Sequence, residues 1–461
     1  MKNDSLDSFH PKSRNRGIPW KPLETLFAFY YLYMRYAIFF ILAILPLVFA
    51  EKHAIIIAPR YFWWDYGVQS ESCRMYKDLV AGGVKPENII LMSTKIISEN
   101  RRNPFPGELF TDDSPDAPGK DYSNGCIEHI DYDEMHMKPD VMLAIMRGDV
   151  QELKSLTHKE NPRALKSTAE DDVLLYFTSH GGEGSVVVGR DDLSREKFQK
   201  TVKYMYDNKM YKHFLILMEA CYSGSMFDNF PANLNVYAIT AADGKHPSYE
   251  SHCPPDDVVD GKSLNTCLSC WWDNSMEWFM EGGADHTLDE LYEHTHAKVA
   301  EHSEQNTSHF GDIEEMGKMT LRTFLGDLPS RRFRSIRNDD SAKIAKAEVP
   351  THLAMWKAIR ADKKDLAAAL KEYQEAKFVA AKKEIEVMRL GRMLMNEKAA
   401  DMALKAPAEM YSADCVRELT RAFVKNCGHT YPFPESTLNM IKNICLPGMS
   451  VPNVDFKDVC F

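Results

Sequence analysis

Val173-Leu174-Leu175-Tyr176-Phe177 runs straight into Thr178-Ser179-His180-Gly181-Gly182-Glu183-Gly184. Phe214-Leu215-Ile216-Leu217-Met218 runs into Glu219-Ala220-Cys221-Tyr222-Ser223-Gly224-Ser225-Met226 in the same way. A short, wholly apolar run bounded by small and polar residues is the pattern of a strand buried on both faces. Working outward, similar runs stand at 53–58, 88–92 and 236–240, with a weaker one at 318–324. Helix-length amphipathic segments at 70–81 and 195–208 lie between several of them. This alternation predicts an α/β domain with a mostly parallel sheet covered on both faces.

In an open α/β sheet, reactive groups sit just beyond the carboxyl ends of the strands. If the two quoted strands are neighbours, His180 and Cys221 face each other over one crevice. An imidazole can take the thiol proton, making a nucleophile, and later protonate a leaving amine. Gly181 has no Cβ, so its N–H can approach a substrate carbonyl; with the N–H of Cys221 it would form an oxyanion hole. A lone buried cysteine is more often a small core residue and a lone His-Gly pair a turn. Both together at strand ends favour catalysis.

The 461 residues allow two or three domains, and 44% hydrophobic with 27% charged residues is a globular composition. A net charge of −11 argues against a nucleic-acid partner. The charge is unevenly spread: residues 51–330 carry a net −20 and residues 331–405 a net +7. At the start, basic residues precede the uncharged stretch 37–50 (AIFFILAILPLVFA), which fits the apolar region of a signal peptide over residues 1–50, or alternatively a signal anchor. A secretory chain favours disulfides for its ten cysteines. Cys415, Cys427, Cys445 and Cys460 allow three pairings and suggest a stapled small domain. Cys253, Cys267 and Cys270 beside His252 lack half of a usual zinc spacing, so no metal and no cofactor is expected. Residues 96–140 read as surface loops, 331–350 as a linker, and the Ala-, Lys-, Glu- and Leu-rich stretch 352–405 as helices.

The segments YFTSHGGEG and MEACYSGSM resemble the legumain family of asparaginyl endopeptidases, cysteine proteases of caspase-like fold. PENIILM, MRGDV, YMYDNKMYK, NLNVYAITAA and NTSH extend the resemblance over nearly everything after residue 50. It implies a caspase-like three-layer sandwich over 51–330, an activation linker over 331–350 and a helical, disulfide-stapled C-terminal prodomain over 351–461. By the same resemblance Cys221 is the nucleophile, His180 the general base and Gly181 with Cys221 the oxyanion donors. Glu219, Gly67 and Ser248 fall at substrate-binding positions. The pairings implied are Cys415 with Cys445 and Cys427 with Cys460.

The chain departs from the family where an Asn-Tyr-Arg-His-Gln run is usual. It has Asp65-Tyr66-Gly67-Val68-Gln69. Asp65 replaces an asparagine that orients the histidine, and a carboxylate can also hold an imidazole. Gly67 and Val68 remove an arginine and a histidine from the P1 pocket, and the pocket aspartate falls near Cys270. A pocket that loses its hydrogen-bond donors loses discrimination, so an altered or broadened P1 preference is expected. Asn306-Thr307-Ser308 is an N-glycosylation sequon. Arg147-Gly148-Asp149 reads as a turn, and the Trp63-Trp64 and Trp271-Trp272 pairs as packing.

The expected function is a peptide- or protein-cleaving cysteine endopeptidase, lysosomal or secreted. It is held as a zymogen by its own prodomain, and has no membrane contact once the signal is cleaved. The alternatives are a GPI transamidase-like catalytic subunit and a catalytically impaired homologue acting as a binding protein. The charge asymmetry predicts that the basic segment clamps the acidic body and loosens as acid neutralises carboxylates. Asn338 is the expected activation cleavage site.

Overall fold

The structure, a computed structural model, describes residues 50–111, 121–301, 303–330 and 341–461. The segment expected to be a signal and the Asn338 cleavage site lie outside the described residues, apart from Ala50. No helix among the described residues is long and apolar enough to cross a membrane.

Six strands form the central sheet: β1 (Lys52–Ile57), β2 (Ile89–Met92), β3 (Asp172–Thr178), β4 (His213–Glu219), β5 (Val236–Thr240), and an edge strand Ser308–Gly311. Their spatial order is β2, β1, β3, β4, β5, edge, and every pairing is parallel except that of the edge strand with β5. Alternate residues serve opposite faces, as a pleated strand requires. Ile56, Tyr176, Leu217 and Ile239 pack with Tyr66, Met75 and Leu79 of α1 (Tyr66–Ala81) and with Trp271, Trp272 and Met276. Ile57, Phe177, Met218 and Ala238 pack with Phe198, Val202 and Met205 of α2 (Arg195–Asp207). The sheet thus lies between two helical layers, as the alternating sequence predicts.

Two expectations change. Residues 318–324 are not a strand: Leu321, Phe324 and Leu325 enter the core from a turn and the short helix Arg322–Leu325. The sheet edge is Ser308–Gly311 instead, whose residues are all only half buried and therefore carry no apolar run. Residues 96–140 are more than surface loop, because Ile97, Leu109, Phe110 and Tyr122 are buried and Cys126 is bonded to Cys73 of α1.

A small antiparallel sheet stands beside the carboxyl ends of the main one. In it β6 (Tyr249–Cys253) is flanked by β7 (Ser269–Cys270) and β8 (Ala342–Ala345). Part of the expected linker is therefore a paired strand that continues into helix α3 (Val349–Arg360). Further helices follow: α4 (Leu366–Leu394), Glu397–Ala403, α5 (Ala413–Cys427) and α6 (Glu435–Ile444). Disulfides join Cys415 to Cys445 and Cys427 to Cys460. Cys253 is bonded to Cys267, which removes both from any zinc site.

Candidate active site

β3 and β4 pair in parallel with Thr178 opposite Glu219, so His180 and Cys221, each two residues further on, follow the ends of adjacent strands. Gly181 passes the Cys221 turn closely: a Cβ there would lie 2.2 Å from the Cys221 carbonyl oxygen. Only glycine tolerates that approach. After Cys221 the chain turns sharply, and Tyr222 takes a left-handed φ of +58° at the start of a 3-10 turn. Strained backbone of this kind concentrates at functional sites.

Asp65 closes the turn Trp63–Asp65 in front of α1 and is buried beneath His180. Its Oδ1 lies 2.8 Å from His180 Nε2, while Oδ2 accepts from Arg60 Nε at 3.1 Å. Arg60 in turn donates to the Gly189 carbonyl at 2.9 Å. Because a carboxylate only accepts, Nε2 carries the imidazole proton. The other nitrogen, Nδ1, is buried without a hydrogen-bond partner and has its lone pair free. Burial, with the Arg60 charge adding, pushes His180 down to about 4 against the opposing pull of Asp65. Burial likewise pushes the Cys221 thiol up, opposed by Lys346 and Ser248. The pair is therefore a neutral imidazole and a thiol in this covered state. Ser248 N donates to Cys221 Sγ at 3.3 Å, and its hydroxyl lies 3.6 Å away.

Buried polar side chains cluster beside Cys221, Glu219 among them, and Gly67 and Cys270 stand nearby. Cys270 is a free thiol that burial raises well above its ordinary value. Two residues that the sequence did not single out complete the cluster. Lys346, directly after β8, is 1% exposed; its ammonium pairs with Glu219, donates to the Ser179 carbonyl at 3.0 Å and lies 3.6 Å from Glu250. Glu250 comes from β6, and its Oε2 would lie 2.8 Å from a Cβ on Gly67. Glu250 could have been suspected from its place two residues after Ser248. Lys346 carried no signal, since one lysine in a basic stretch reads as solvated.

Among the described residues two clusters have metal-ligand chemistry. Glu219, Cys270 and Asp273 bring ligand atoms within 4.8 Å of one another, but the cation paired with Glu219 is the Lys346 ammonium. In Glu386, Cys427 and His429, the cysteine is already in a disulfide. Asn306 is half buried and its amide donates to Asp243 at 2.9 Å. Arg147-Gly148-Asp149 is the turn between helices Pro139–Met146 and Val150–Thr157, with Asp149 capping the second. Trp63, Trp271 and Trp272 are core residues.

The C-terminal helices cover this site. Cys221 and Tyr222 share an apolar cluster with Leu390, Leu419, Phe423 and Ile441. Ion pairs run from the C-terminal region to the body: Arg360 to Asp257 at 2.9 Å, Arg417 to Glu196 at 2.9 Å, Arg421 to Asp192, and Lys442 to Glu183 at 3.4 Å. Cys221 and His180 are each 3% exposed as a result.

Residues 52–327 match the family model for the Peptidase C13 family. Hemoglobinase from Schistosoma japonicum is 29% identical over 430 residues, spanning 89% of this chain and 93% of that protein. Legumain from Mus musculus is 27% identical over 414 residues, spanning 86% of this chain and 88% of that protein. Among solved structures, caspase-1 from Spodoptera frugiperda covers 61% of this chain and 93% of its own at 12% identity, with a TM-score of 0.34. With the family model matched over more than half of its length, the chain belongs to the Peptidase C13 family and is a cysteine endopeptidase.

Proposed function

We propose that this chain is the latent form of a secretory-pathway endopeptidase of the legumain type, lysosomal or secreted, working through Cys221 and His180. The observation that supports the reading is the strand register: His180, whose Nδ1 has no hydrogen-bond partner, and Cys221 each follow the paired ends of adjacent strands by two residues. Nδ1 accepts the Cys221 proton as Sγ attacks the substrate carbonyl. The carbonyl becomes an oxyanion beside the N–H groups of Gly181 and Cys221. The imidazolium so formed is held by Asp65 through Nε2 and donates its proton from Nδ1 to the leaving amine. Water then hydrolyses the thioester with His180 again as the base.

The same cover of Cys221 and His180 supports the C-terminal region as an intramolecular inhibitor, since a peptide cannot reach Sγ through it. Asn306 remains a glycosylation site under this reading only where a sugar replaces its bond to Asp243. The test is turnover after activation. Cys221→Ala and His180→Ala each abolish it while melting temperature and circular dichroism stay near wild type. Near-normal turnover in both variants refutes the assignment.

A further inference from the structure

We propose that the pocket beside Cys221 is built for a lysine side chain and that the enzyme cuts after lysine, Lys346 holding the place of the substrate's P1 residue in the latent chain. The inference rests on the endopeptidase reading above and supplies its specificity.

The backbone argues for the placement first. β8 lies antiparallel on β6, with Ala345 opposite Tyr249 and Ile344 opposite Glu250. Lys346 follows directly after the strand, and its N–H donates to the Ser248 carbonyl at 3.2 Å. Ser248 N itself donates to Cys221 Sγ. The segment is thus an added edge strand that delivers one side chain beside the nucleophile, which is how extended peptides are read by a sheet edge: main chain for affinity, alternate side chains for specificity.

The chemistry of the pocket argues for lysine. Its polar groups are Glu219 and Glu250, with the Ser179 carbonyl completing the sphere around the ammonium. All three present acceptors, which suits a cationic side-chain end that only donates, an ammonium or a guanidinium. The absence of a side chain on Gly67 leaves the room that Glu250 Oε2 occupies, and the Ser269 main chain, 3.0 Å from the position of a Cβ, closes the space further. An uncharged P1 side chain would leave the Glu219 carboxylate buried without a counter-charge. Removing one partner of a buried ion pair is strongly destabilising. Asparagine, with an amide that neutralises nothing, is rejected for that reason. Arginine is longer, and its planar fork needs a paired carboxylate edge.

The experiment uses the full-length chain after self-processing and peptides that differ only at P1: lysine, arginine, asparagine and alanine. Lysine is expected to exceed asparagine and alanine in kcat/KM by at least about a hundredfold and arginine by a smaller factor. Glu219→Gln should shrink the lysine-to-alanine ratio at least about tenfold. Cleavage after asparagine or arginine as fast as after lysine overturns the lysine assignment and leaves the endopeptidase reading standing. If no peptide is cut and chloromethyl ketones of both lysine and asparagine fail to label Cys221, the endopeptidase reading fails instead. A second measurement needs no turnover. In the full-length Cys221→Ala chain, Lys346→Asn and Lys346→Met should each lower the melting temperature by about 5 °C or more, Lys346→Arg by less. An unchanged melting temperature in Lys346→Asn shows that the pocket does not require the ammonium and overturns the proposal.

Discussion

In the proposed dyad His180 acts as base only with its proton on Nε2, the nitrogen that Asp65 faces at 2.8 Å. A carboxylate facing Nε2 fixes the tautomer and later stabilises the imidazolium, and Arg60 on its second oxygen keeps Asp65 ionised below the usual carboxylate range despite burial. An asparagine carbonyl would also accept from Nε2, so Asp65→Asn should cost less than about tenfold in kcat, whereas Asp65→Ala should cost more than about a hundredfold, with KM little changed in both. Steady-state kinetics on the activated enzyme decide it; equal losses in the two variants would mean that Asp65 does not position the histidine. The placement of Cys221, His180 and Gly181 just beyond two strand ends was legible in the sequence because apolar runs that stop at small residues mark such ends. Lys346 and Glu250 were not, because a buried charge is defined by its partner, and Lys346 meets Glu219 across 127 residues of chain.

Elements explain where reading by pattern succeeded and where it stopped. The five parallel strands announced themselves through apolar runs buried on both faces, while the half-buried edge strand Ser308–Gly311 carries no such run and the core-filling residues 318–324 looked like strand. β8 was hidden inside a charged stretch because its pairing is with β6 from a distant part of the chain. If β8 lies in the cleft as substrate does, self-processing should leave a body ending at Lys346, and mass spectrometry should find that terminus rather than one at Asn338. Beyond β8, the stapled helices hold the cover in place. The Cys415–Cys445 bond closes a separation of 30 residues, for which loop-closure entropy predicts about 3–4 kcal/mol. The double replacement Cys415→Ser with Cys445→Ser should therefore loosen α5 and α6 ahead of the sheet. Hydrogen exchange would locate the loosening, and Cys221 should react faster with iodoacetamide; an unaltered alkylation rate would show that the staple does not secure the cover.

Across the whole molecule, charge counting along the chain predicts a clamp that slackens in mild acid, and the buried groups revise that. Burial pushes the Glu250 carboxyl up to about 8, outweighing Lys346, with the Glu219 charge adding; Cys270 and Asp65 are its other neighbours. Its ordinary value is 4.5, so the closed chain holds an extra proton between about 4.5 and 8. That contribution is complete below 4.5 and lost as pH rises through 8. His180 has the opposite sign. Its value is about 4 in the covered site against 6.5 ordinarily, so its contribution is complete above 6.5 and lost as pH falls through 4. Glu196 sides with His180: although burial opposes it, its own N–H and Arg417 hold the carboxyl below 4.5. Between about 4.5 and 6.5 the Glu250 and His180 slopes cancel. In the full-length Cys221→Ala chain, which cannot process itself, Glu250 should therefore contribute a fall in melting temperature toward pH 8 and His180 a fall toward pH 4. Glu250→Gln should erase the alkaline fall and keep the acid one. Mild acid on this account leaves the cover seated until a peptide bond in the segment before α3 is cut, so size-exclusion chromatography of Cys221→Ala should give the same elution volume at pH 5 as at pH 7. A steady drop in melting temperature from pH 7 to pH 5 would restore the simple electrostatic clamp.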